Sequence, residues 1–150
     1  MSRPSTPRRH ARGFTLLEIL TVLGIASVLS SLAWPSFQGS LQKARRADAL
    51  VAMAQLQIAQ ERRYANRRSY GTLAELRLPE RSSAGHYRLE VLSADDEGYT
   101  LIARATGAQA GDAECRHLML TIAGGVTRRA SGPDDLVAND PAANRRCWGL

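Results

Sequence analysis

The chain is 150 residues long, 44% hydrophobic, and carries 20 Lys+Arg against 14 Asp+Glu, a formal net charge of +6. That length holds one compact domain and one appendage and excludes a large multidomain enzyme. Two cysteines, Cys115 and Cys147, and three scattered histidines, His10, His86 and His117, offer neither a Cys-x-x-Cys pair nor a cluster at zinc-ligand spacing. Gly124-Gly125 runs into Val126-Thr127 instead of a phosphate-loop lysine, and no nucleophile–base pair stands out. The expectation is a chain that is not an enzyme, with no catalytic residue, no metal and no cofactor.

The basic excess is unevenly placed. Nineteen of the 20 basic residues are arginine, and Arg3, Arg8, Arg9 and Arg12 lie within the first 13 residues with no acid among them. Without that stretch, 16 basic side chains face 14 acidic ones, a net of +2, so much of the pI near 10.1 belongs to the N-terminal segment. From Phe14 to Trp34 the sequence is apolar over 21 residues, with Glu18 its only charge. At about 1.5 Å per residue this is a helix of roughly 31 Å, close to the ~30 Å of a bilayer's hydrocarbon core. Basic residues directly before it keep the N-terminus cytoplasmic and send the rest of the chain outward. A cleaved secretory signal is the alternative, because Ser31-Leu32-Ala33 has a small-x-small pattern. Against it, the run exceeds the roughly 7–15 residues of a signal core and contains an acid, which costs about 2.5–3.5 kcal/mol in the bilayer.

Gly13-Phe14-Thr15-Leu16-Leu17-Glu18 ends the basic leader on a small residue and sets an acid five places into the apolar run. This stretch resembles the leader motif of type IV pilins and type II secretion pseudopilins. The resemblance implies that a prepilin peptidase cuts between Gly13 and Phe14, that the new Phe14 amine is N-methylated, and that the apolar helix is retained. It implies as partners that peptidase, the membrane before assembly, the inner-membrane assembly machinery and other pilin subunits. It also implies an inner-membrane location first and a pilus location afterwards. The role of Glu18 follows from electrostatics: a cationic amine and a carboxylate are both costly at low dielectric unless they pair. Glu18 of one subunit neutralising Phe14 of its neighbour couples extraction from the membrane to assembly.

Pro35 closes the spanning stretch and is expected to kink the helix, as it deletes one backbone hydrogen bond. Many members of the family carry a second glycine in the run; this chain has Gly24 and, where the second would stand, Ser27. Beyond Gly39, Ala44, Ala47, Leu50, Val51, Ala54 and Ile58 follow helical spacing and are expected to form the core face of one helix from about Thr15 to about Tyr64. Residues 65 to 85 read as a long connection with one helical turn around Leu73 to Leu76. Strand-like stretches follow at His86–Leu92, Gly98–Ala105, Arg116–Ala123 and Val126–Ala130. The fold class is therefore α+β, with the second half of a long helix packed on a roughly four-stranded antiparallel sheet, and the resemblance implies that this is a type IV pilin fold. The division is a cleaved leader at 1–13, a transmembrane and filament-core helix half at 14–38, and a head at 39–150.

On the exported side of a membrane, Cys115 and Cys147 are expected to form a disulfide. It would close a 33-residue loop, counting both cysteines, worth about 3–4 kcal/mol by loop entropy. With Cys147-Trp148 near the C-terminus, this pair resembles the PilE-like minor pilins and their DNA-uptake relatives, which makes a minor pilin the favoured reading. The alternatives are a ComP-like DNA-uptake pilin, binding DNA through a stripe formed if Arg128, Arg129, Arg145 and Arg146 converge, and a type II secretion pseudopilin. Asp134, Asp135 and Asp140 are spaced poorly for calcium, and residues 130–144 read as a solvated loop.

Overall fold

In the computed structural model the described residues are 14–135, 137 and 139–149. The leader, Gly13 included, lies outside them. Their contacts define two units, Met1–Phe37 and Gln38–Leu150.

The first unit is the opening of helix α1, Leu16–Arg67, a continuous helix of 52 residues that contains Pro35. Thr15 supplies the N-cap: its hydroxyl accepts from the Glu18 N–H at 3.2 Å and its carbonyl from the Ile19 N–H. Further along, the hydroxyls of Thr21, Ser27 and Ser31 donate to the carbonyls of Glu18, Gly24 and Val28 at 2.7–2.9 Å. These four hydroxyls of the apolar run are thereby satisfied within the helix, as a hydrocarbon surrounding demands. Residues 14–40 are all exposed.

The second unit is the head. The rest of α1 leads to a four-residue helix α2 (Leu73–Leu76), which is closed by a Thr72/Glu75 capping box. Then come β1 (Tyr87–Ala94), β2 (Gly98–Ala105), two short 3-10 helices (Gly107–Gly111 and Ala113–Cys115), β3 (His117–Ala123), β4 (Val126–Gly132) and α3 (Pro141–Trp148). The strands form one antiparallel sheet in the order β1-β2-β3-β4. Alternation along them turns Tyr87, Leu89, Leu101, Ala103, Leu118 and Leu120 into a core shared with Ala49, Ala52, Met53 and Leu56 of α1. The β1–β2 turn is drawn tight by the Asp95 carboxylate, which accepts from the N–H groups of Glu97 and Gly98, both at 2.8 Å.

The long helix, the turn at 73–76, the four-stranded sheet and the fold class agree with the sequence. Two expectations do not. The predicted core face of α1 is largely its outer face: Ala44, Ala47 and Ala54 are exposed, as are Val51 (54%) and Ile58 (52%), and only Leu50 is partly buried. The buried set is Ala49, Ala52, Met53, Leu56 and Gln60. Both sets satisfy helical spacing, so periodicity could not choose between them. The second correction is α3, which occupies the C-terminal part of what reads as loop. Asp140 caps it through the N–H groups of Ala142 and Ala143, Pro141 stands in its first turn, and Gly149 ends it at φ 69°.

Candidate functional site

Two surfaces bear on function: the apolar start of α1 and the arginine-bearing faces of the head. Phe14 and Thr15 precede α1, and Glu18 sits in its first turn beside the Thr15 cap. That position gives Glu18 a local reason to exist, since an acid at a helix N-terminus complements the peptide dipoles. Around it, Phe14, Leu16 and Leu17 are 72–81% exposed, as is Leu32 further along the run. The helix contains an apolar stretch long enough to cross a membrane, none of it buried within the chain. Trp34 and Phe37 lie 6.4 Å apart near the end of this run.

In the head, Cys115 and Cys147 are joined, with 5.4 Å between their Cα atoms. The bridge fastens α3 to the segment before β3. Asn144 donates to the carbonyl of Arg129 at 2.7 Å and accepts from Ser131, and the Trp148 indole donates to the carbonyl of Ala130 at 3.1 Å. A bidentate pair, Arg46 with Asp112 at 2.6 and 2.9 Å, ties α1 to the loop before Cys115, and Arg46 also donates to the carbonyl of Arg146.

Of the four arginines expected to converge, Arg128 and Arg129 are parted. Arg129 pairs with Leu120 and Arg128 with Thr121 across the β3–β4 ladder, so strand alternation sends them to opposite faces of the sheet. Arg129 lies 5.7 Å over the Trp148 ring, while Arg146 pairs with Glu114 at 3.3 Å. The acids Asp134, Asp135 and Asp140 have protein partners. Asp135 accepts from Arg104 at 2.9 Å and lies 3.2 Å from His117 Nε2, and the Arg104 hydrogen bond holds its carboxyl below the usual range. Asp140 is held low by the N–H groups of Ala143 and Ala142. Among the described residues no group of three or more His, Cys, Asp or Glu could hold a metal ion.

A different concentration of arginines does come together. Arg62, Arg63 and Arg67, at the end of α1, line a cleft of about 420 Å³ whose opposite wall carries Glu75 and Leu76 of α2. Two Arg-Arg pairs within seven residues mark it in the sequence, but no local pattern sets α2 opposite them.

An apolar, capped, wholly exposed helix start and a head of one sheet closed by a C-terminal disulfide define a subunit of the type IV pilin class. The family model for the prokaryotic N-terminal methylation motif matches residues 8–34. The model described as "Type IV minor pilin ComP, DNA uptake sequence receptor" matches residues 35–119, more than half of the chain. The chain belongs to this family of type IV minor pilins. It is also similar to the "Prepilin peptidase-dependent protein D" of Escherichia coli (strain K12), 40% identical over 50 residues, which are 33% of this chain and 34% of that protein. The match thus spans about a third of that relative's length. Pilin families are structural, and an apolar helix behind a prepilin leader is a membrane anchor before assembly.

Proposed function

We propose that this minor pilin is cut between Gly13 and Phe14 by a prepilin peptidase, N-methylated at Phe14, and held in the inner membrane by residues 14–38. In this reading its N-terminus is cytoplasmic, residues 39–150 lie outside, and the assembly machinery transfers it to the pilus, where its helix packs among those of other pilins. No catalytic step is part of this reading. The supporting observation is the complete exposure of residues 14–40. Each large apolar side chain left in water forgoes about 1.5–3 kcal/mol relative to burial, so lipid first and neighbouring helices later must supply the cover. The exposed lane Ala47, Val51, Ala54 and Ile58 offers neighbouring helices a further apolar surface. Pro35, within α1, removes one backbone hydrogen bond and gives the helix local freedom to bend.

Glu18 is the residue on which assembly turns, and its capping position requires a test that separates charge from local helix support. Glu18→Gln keeps a polar residue at that position and removes the charge. The expected outcome is normal leader removal, read by mass, with strongly reduced recovery of the variant in sheared filaments. Wild-type recovery of the Gln variant would show that the charge has no assembly role.

Supporting a second activity, DNA binding by the head, are the family to which residues 35–119 belong and the arginine-rich composition. Salt-sensitive binding of duplex DNA by the full chain in detergent, in the micromolar range, is the expected result. Binding that is absent, or indifferent to salt, ends this reading.

A further inference from the structure

We propose that the cleft between the end of α1 and α2 is a phosphate seat for the DNA backbone, with Arg62 and Arg67 as its contacting residues and Arg63 as a fixed wall. The proposal rests on the DNA-binding reading above and locates it. Three guanidinium groups on one wall face a single acid, Glu75. That acid is already engaged: Oε1 accepts from Arg63 at 2.9 Å, while Oε2 accepts from the N–H and the hydroxyl of Thr72 at 2.8 and 3.2 Å. With Glu75 and Arg63 cancelling, the charge that remains in the cleft is that of Arg62 and Arg67. Neither makes an ion pair among the described residues.

The walls are also held in place before any ligand arrives. Arg63 lies against Gly71, where even a β-carbon would come within 2.5 Å of its Nε, so the glycine is what lets the guanidinium lie there. Gly71 in turn is pinned to α1 by both amide atoms of buried Gln60, which donates to its carbonyl at 2.7 Å and accepts from its N–H at 2.8 Å. The wall behind Arg62 and Arg67 is thus preformed, so only those two exposed side chains need ordering when an anion enters. The cleft's remaining lining is Asn66 and small or aliphatic side chains, with no aromatic ring on which to stack a base. With no stacking platform, this lining suits a phosphodiester, whose contacts supply affinity and register without sequence preference.

A simpler reading makes these arginines only complements to the helix's C-terminal dipole. That reading predicts a small loss of thermal stability on substitution and no change in DNA binding. The deciding experiment measures equilibrium binding of mixed-sequence duplexes by the full chain in detergent between about 50 and 200 mM salt. The variants are Arg62→Gln/Arg67→Gln and, as an equal-charge control, Arg81→Gln/Arg88→Gln, two exposed arginines of the head outside the cleft that make no ion pair among the described residues. Two lost phosphate contacts should weaken binding about tenfold or more, uniformly across sequences, and lower the log–log salt slope by about 1 to 2. The control should keep most of the wild-type slope. If wild type binds DNA and the cleft variant matches it, or loses no more than the control, the cleft is not the seat while the DNA reading stands. If wild type itself shows no salt-sensitive binding, both fall.

Discussion

Asp48 shows how one side chain organises a connection. Burial alone would raise its carboxyl, but hydrogen bonds from the Ser82 hydroxyl, the Ala84 and His86 N–H groups and the Ser83 hydroxyl outweigh it and hold the group below its ordinary 3.8. These bonds gather residues 82–86 onto α1 just before β1. Since the folded value lies below the unfolded one, the stabilisation is fully present above about pH 4 and is lost as pH falls through the lower folded value. Asp48→Asn should therefore lower the melting temperature at neutral pH, with the gap to wild type closing on acidification; a gap constant with pH would exclude the carboxylate as its source. Gly98 is the other residue with no substitute. A β-carbon there would lie 2.1 Å from the carbonyl oxygen of Ile122 in the neighbouring strand. Gly98→Ala must push β2 and β3 apart, at a cost of about 1–3 kcal/mol in a denaturant titration, and an unchanged midpoint would show that the sheet yields there freely.

At the scale of elements, α1 explains both what the sequence disclosed and what it hid. Its start and length follow from a capped apolar run, and β2 from the Asp95-Asp96-Glu97-Gly98 turn that sets Gly98–Ala105. The head-facing side was harder to read because the helix carries two apolar lanes, and the true core lane includes Gln60, a polar residue that belongs there only because Gly71 meets it across the connection. The cleft was hidden for a related reason: it needs α2 opposite the arginines, a pairing that no local pattern encodes. α3 escaped notice because its eight residues offer only Cys147 and Trp148 as large buried anchors beside Asn144, although Asp140, Pro141 and Gly149 marked both ends. Its attachment depends on the disulfide. Replacing both cysteines by serine should cost about 3–4 kcal/mol in a denaturant midpoint under oxidising conditions, and the wild-type chain should reproduce that loss when reductant is added. Equal midpoints with and without reductant would mean that Arg46 and the α3 hydrogen bonds suffice.

For the whole molecule, the charge of +6 separates into parts with different fates. Four arginines sit in the leader, and their removal by cleavage would leave a net of +2, so any attraction to DNA has to come from where charges cluster and not from their sum. Apolar character separates in the same way, one portion enclosed in the head and another carried bare on α1. The clasp of α3 on β4 gains significance here. An outermost strand is an open template on which identical sheets can zip together, and subunits crowded in one membrane are well placed to do so. Asn144 and Trp148 occupy the carbonyls of Arg129 and Ala130 on that rim. The clasp thereby covers part of that edge and works against sheet-to-sheet polymerisation.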